Sequence, residues 1–162
     1  MLNMEHPVQE KKIWEILETV SDPEIPVLSI IDMGIVRDVQ LKGGELTITI
    51  TPTYSGCPAM DAISMDIRLK LIEQGYRQVK IQTVLSPAWT TDWMSEPGKE
   101  KLKAYGIAPP VSRAEDASMH AIECPHCHSQ HTTLLSQFGS TACKALYQCS
   151  DCKEPFDYFK CH

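Results

Sequence analysis

The sequence predicts a small α/β domain, an α+β two-layer sandwich, followed by a separate cysteine-rich module. Three observations predict it. Up to Leu85 the hydrophobic pattern reads helix, strand, strand, helix, strand. Six of the seven cysteines lie beyond residue 120. Between the two, Val111 to Ile122 is polar and aperiodic, as a linker would be. The expected division is residues 1–110, a linker at 111–122, and a module at 123–162.

The first helix rests on Ile13, Ile16, Leu17 and Val20, which recur at helical spacing among Glu and Lys. Asp22-Pro23 stops it, because proline lacks an N–H and disfavours a helical residue before it. Ile35–Leu41 and Glu45–Thr51 alternate apolar and polar on either side of Gly43-Gly44, which makes a β-hairpin. Cys57-Pro58 starts the second helix, with Met60, Ile63, Ile67 and Leu71 as its apolar stripe and Gly75 to end it. Arg77–Leu85 is a third strand. A strand–helix–strand run implies a parallel pairing beside the antiparallel hairpin. The result is a small mixed sheet with helices on one face. Pro97–Tyr105 follows as a short helix, then a stiff Pro109-Pro110 exit.

Composition excludes several functions. Net charge is -6 and the pI about 5.5, which argues against nucleic-acid or anionic-membrane binding by bulk charge. No apolar run is long enough to span a bilayer. The opening MLNMEHPVQEKK lacks the apolar segment of a secretory signal, so the expected location is cytoplasmic.

The tail carries two Cys-x-x-Cys pairs, Cys124/Cys127 and Cys149/Cys152, with 21 residues between them. Two intervening residues let both thiolates of a tight turn face one ion, and a second such turn completes a tetrahedron. The connecting TTLLSQFGSTACKALYQ holds two strand-like pieces around Phe138-Gly139, as a zinc ribbon requires. So small a module needs a structural metal. Zinc is the default; iron in the same cage, or an iron–sulfur cluster, is chemically adjacent. Disulfides would require an oxidising compartment. His128 stands where glycine often follows the second cysteine of such a turn. Cys143, Cys161 and His162 are spare soft donors, candidate additional ligands or simply packed and terminal groups. His126, His128 and His131 read as solvated loop residues.

The remaining cysteine, Cys57, falls at or near a helix N-cap, where the dipole and free N–H groups favour a thiolate. Such a thiol can be a nucleophile, a redox sensor or a metal ligand; a buried small apolar residue is an equal reading. The front region offers no histidine base except His6, in the expected N-terminal tail. Asp22, Glu24 and Asp32 could pair for acid–base work but more commonly cap and shape turns. Trp89 and Trp93 read as packing residues.

VSDPEIPVLSIIDMGIVRDV followed by TPTYSGCPAMD resembles the SufT-like family of small α/β iron–sulfur assembly factors, over roughly two-thirds of the chain. YGIAPP and the long cysteine-rich tail are similar to one branch of it, accessory proteins encoded with the phenylacetyl-CoA epoxidase of phenylacetate catabolism. The resemblance implies a non-catalytic maturation factor that helps build or insert an iron–sulfur or iron centre, above all the [2Fe–2S] cluster of the epoxidase reductase. It implies that Cys57 is the functional thiol, a transient ligand of iron or a cluster, and that Asp22 and Glu24 belong to a site-shaping acidic loop. The implied partners are the epoxidase subunits and the iron–sulfur assembly machinery. A structural or electron-transfer subunit of the epoxidase is the alternative, and a Cys57-dependent enzyme a third. An exposed hairpin edge permits a homodimer.

Overall fold

The structure is a computed structural model, and it describes residues 6–54, 56–111 and 121–160, with side chains from Val8 onward. It divides into two compact units between Trp89 and Thr90.

In the first unit, α1 (His6–Leu17) leads into an irregular loop. There the Ser29 N–H donates to Asp32 Oδ2 (3.1 Å) and the Asp32 N–H to Ser29 Oγ (3.0 Å), a reciprocal capping box on a single helical turn. β1 (Val36–Lys42) and β2 (Glu45–Ile50) form the hairpin. Gly43 (φ 58°) and Gly44 (φ 84°) supply the two left-handed residues that a tight twisted turn demands. α2 (Ala59–Glu73) ends in a Schellman motif: Gly75 (φ 97°) donates to Ile72 O and Tyr76 to Leu71 O. β3 (Gln78–Thr83) pairs parallel with β2, in sheet order β1-β2-β3.

Leu46, Ile48 and Ile50 of the central strand are fully buried, while Glu45, Thr47 and Thr49 on the other face are not. Both helices therefore cover one face, and they contact each other as well as the sheet. Ile13, Leu17 and Val20 are buried, as are Ile63, Ile67 and Leu71 of α2. The Trp89 indole N–H donates to Met33 O (2.8 Å) and fixes the end of this unit.

The second unit begins with a 3₁₀ turn at Thr91–Trp93 and α3 (Glu96–Tyr105), capped by Ser95, whose hydroxyl accepts from the Gly98 N–H (3.0 Å). β4 (Ile107–Ala108), β5 (Thr132–Ser136), β6 (Lys144–Cys149) and β7 (Pro155–Phe159) form a sheet of order β4-β7-β6-β5. Its core gathers Ala108, Ile122, Cys124, Ala145, Cys149, Phe156 and Tyr158. No described helix is long and apolar enough to cross a membrane.

Several expectations shift. The chain divides ahead of α3, not at residue 110, because β4 adds parallel to β7 and Ala108 sits in the ribbon core. Of the expected linker, residues 112–120 lie outside the described residues. His6 opens α1 instead of lying in a tail. Pro58 is the N-cap residue, with φ -68° and ψ -19°, so Cys57 stands one position before it. The buried stripe of α2 is Ala59, Ile63, Ile67 and Leu71, with Met60 only half-buried.

Candidate metal centre and the front-domain thiol

The two turns at Cys124–Cys127 and Cys149–Cys152 are built alike. The Cys124 N–H donates to Ser129 O (2.9 Å), and the Cys149 N–H to Glu154 O (3.1 Å). The residue after each second cysteine, His128 (φ 63°) and Lys153 (φ 66°), takes the left-handed conformation that closes the turn. Glycine is the usual occupant there because a Cβ crowds the backbone.

These turns bring four sulfurs together. Cys124 Sγ lies 3.7 Å from Cys152 Sγ, Cys127 Sγ lies 3.5 Å from Cys149 Sγ, and all four fall within 4.8 Å of one another. A tetrahedron with zinc–sulfur bonds of about 2.3 Å has edges of about 3.8 Å, so the donor set fits a single zinc ion. A multi-iron cluster would interpose several metals and sulfides and hold its thiolates further apart.

Backbone N–H groups favour the thiolate at these sulfurs, and burial and the crowding of the other thiols oppose it. Cys149 is lowered to about 6: the Cys152 N–H acts first, opposed by burial, with the Asp151 N–H adding to it. Cys152 is raised to about 12: the Glu154 N–H lowers it, but burial and the thiols of Cys127, Cys149 and Cys124 outweigh that. Cys127 is raised in the same way, with the Ser129 N–H outweighed by burial and the Cys149 and Cys124 thiols. Thiols this close cannot all ionise without a cation among them, which is what a zinc ion supplies.

The nearby histidines serve carboxylates. Glu123 accepts from Lys103 Nζ (2.7 Å) and contacts His128 Nδ1 (3.0 Å), and in that order these two hold its carboxyl below the usual range. Asp151 is likewise lowered, first by the Ser129 hydroxyl that donates to it, then by His131 (3.1 Å). Because Ser129 belongs to one cysteine turn and Asp151 to the other, that bond straps the two together. His126 is exposed.

The spare cysteine Cys143 is not a ligand of this centre. It is buried, with Thr141 Oγ1 3.0 Å from its sulfur, and it precedes β6, which ends at Cys149 about 20 Å away along the strand. Cys161 and His162 lie outside the described residues.

In the first unit, Cys57 is half-buried. Its N–H donates to Tyr54 O and its carbonyl accepts the Met60 N–H, each at 3.2 Å, so a tight turn sets the thiol at the start of α2. Asp22 is buried and accepts the N–H groups of Glu24 (2.7 Å) and Ile25 (3.1 Å), shaping its own loop. Just ahead of Cys57, Thr51 is 1% exposed and its hydroxyl has no partner; it lines a cleft of about 140 Å³ with Pro52, Thr53, Tyr54, Leu85 and Trp89. A buried unpaired hydroxyl is uncommon, and nothing in the local sequence pattern points to it. Among the described residues the four tail thiols are the only group of three or more His, Cys, Asp or Glu donors placed to share an ion, and Cys57, Asp22 and Glu24 are not in it.

Fold and ligand set together define an α/β sandwich joined to a four-cysteine ribbon. Residues 10–82 match the family model described as iron–sulfur cluster assembly protein, and residues 108–160 the PaaD zinc beta ribbon domain. The chain is 51% identical, over 96% of its length and 94% of the relative's, to an Escherichia coli protein named as a putative subunit of 1,2-phenylacetyl-CoA epoxidase. It is 40% identical to an Fe-S protein maturation auxiliary factor of Porphyromonas gingivalis, over 59% of this chain and 91% of that one. A crystal structure of a DUF59 domain from Bacillus anthracis superposes with a TM-score of 0.56 at 30% identity, covering 59% of this chain and 92% of that chain. The chain belongs to the PaaD family of iron–sulfur assembly proteins, in which a SufT-like domain carries a C-terminal zinc ribbon.

Proposed function

We propose that this protein is an accessory maturation factor that assists assembly or insertion of an iron–sulfur or iron centre in a phenylacetyl-CoA epoxidase system, with the [2Fe–2S] reductase as its client. The observation that carries this reading is 51% identity, over nearly the full length of both chains, to a relative named as a putative epoxidase subunit, in a chain whose front part matches the iron–sulfur assembly family.

Cys57 is the working thiol. It is half-buried and set on a tight turn at the start of α2, so it can meet a cargo of iron or a cluster without rearrangement of the fold. On binding, its proton leaves to solvent and the thiolate donates to the metal. Asp22 holds its own acidic loop in shape by accepting the Glu24 and Ile25 N–H groups, and Asp22 and Glu24 are the candidates for shaping the site. The ribbon, stiffened by its own zinc, presents a docking surface to the client. No covalent chemistry on an organic substrate is involved, and the single histidine of the front unit, His6, opens α1. The protein acts in the cytoplasm with the epoxidase subunits and the assembly machinery.

The name of the Escherichia coli relative favours a second reading, a structural or electron-transfer component of the epoxidase. Stripping this protein from an epoxidase that already holds its metal centres separates the two. A maturation factor is then dispensable and turnover continues; a stoichiometric component takes the activity with it.

A further inference from the structure

α2 is apolar on two sides. Its inner side fills the core of the first unit with Ala59, Ile63, Ile67 and Leu71. Its outer side carries Met65 (60% exposed), Leu69 (52%) and Ile72 (52%), spaced i, i+4, i+7, with exposed Ala62 and Pro58 extending the same stripe. A surface helix of a monomer keeps its outer side polar, so a continuous apolar stripe there marks a covered face.

The charges along that stripe say what covers it. Asp61 and Arg68 lie seven residues apart on one edge, which is two helical turns or about 10 Å. Both are exposed and neither has an ion-pair partner among the described residues. Lys70 and Asp66, in contrast, are paired with each other (3.7 Å). When two copies of a helix pack antiparallel about a two-fold axis, each edge stays on its own side of the pair and its order reverses. An acid and a base on one edge then meet their opposites twice.

We propose that two copies of this chain pair through the outer faces of α2, antiparallel about a two-fold axis at Met65. Asp61 of each copy then stands beside Arg68 of the other. In that register Met65 packs on its own copy, Ala62 faces Leu69, and Pro58 faces Ile72, so small residues oppose large ones along the seam. Methionine suits the self-contact at the axis because its unbranched side chain adapts. The two Cys57 thiols stay at opposite ends of the seam, about 24 Å apart along it. The dimer therefore does not depend on the cargo reading of Cys57.

The test is sedimentation equilibrium on the full zinc-loaded chain across the micromolar range. The wild type is expected to dimerise with concentration. Asp61→Arg and Arg68→Asp, each placing like charges together, weaken the dimer by about tenfold, and the double variant recovers to within about threefold of wild type. Leu69→Glu gives a monomer with unchanged zinc content and helical circular dichroism, since Leu69 is not among the buried core residues. A wild type that stays monomeric overturns the proposal and leaves the face to a different protein. So does a double variant as weak as either single, or single variants with no effect.

Discussion

Lys153→Gly is expected to tighten zinc binding. Lys153 sits at φ 66° after the second cysteine of its turn, and a left-handed L-residue costs roughly 1–2 kcal/mol. Glycine removes that cost but loses about 0.5–1 kcal/mol more chain entropy on ordering. The net gain is about 0.5–1 kcal/mol. The Lys153 carbonyl, which accepts from Gln148 Nε2 (3.2 Å), is retained. Because relief of strain in this turn is coupled to binding of the metal, the gain appears as roughly two- to fivefold tighter zinc in competition with a chelator. His128→Gly relieves the same strain at φ 63° but gives up the exposed contact to Glu123, worth only a few tenths of a kcal/mol, and so gains less. Lys153→Ala is the control: it deletes the charge and keeps the strained backbone, so it is expected to leave affinity unimproved. If alanine tightened zinc as much as glycine, the side-chain charge and not the backbone would be the cause, and the argument would fail.

Cys124→Ser or Cys149→Ser is expected to drop metal content from about one zinc per chain and to open the ribbon to protease, because a thiolate of a closed tetrahedral site has no substitute nearby. Elemental analysis showing unchanged zinc would refute the four-cysteine assignment. Cys149 also makes a pH prediction. Its thiol is lowered from 9.0 to about 6 in the metal-free ribbon, so the stability it contributes is full above the ordinary thiol range and is lost as pH falls toward 6. At neutral pH it is already ionised, and zinc uptake releases fewer than four protons. Calorimetry in buffers of different ionisation enthalpy counts them; four per zinc would mean that the turns are not prepared before the metal arrives.

The elements most legible in the sequence are those with strong local signals. Gly43-Gly44 between alternating strands spells a tight hairpin, and both glycines take positive φ. Two Cys-x-x-Cys pairs require no tertiary information to be joined, because each turn orients its own thiols. The features that stay hidden depend on distant partners. β4 is two residues long and exists because β7 lies beside it, so YGIAPP alone reads as the end of the front domain. The pattern of α2 suggests one apolar stripe, yet its fifteen residues carry two, and only the sheet decides which of them faces inward. The ligands of the ribbon are readable, whereas the strap from Ser129 to Asp151 is not, since it joins residues brought together by the second turn. Cys57 is the limiting case. The pattern places it at the start of a helix within one residue, but a half-buried thiol on a turn looks alike whether it is packed or working.

As proposed above, this protein loads a metal centre into a client through Cys57. The most direct test is the iron and acid-labile sulfide content of the epoxidase reductase, purified from cells that make it alongside either wild-type protein or Cys57→Ser. The account predicts a Cys57→Ser protein that folds and keeps its zinc, and a reductase that retains its flavin but lacks its [2Fe–2S] cluster. A reductase with a full cluster beside the mutant would contradict it.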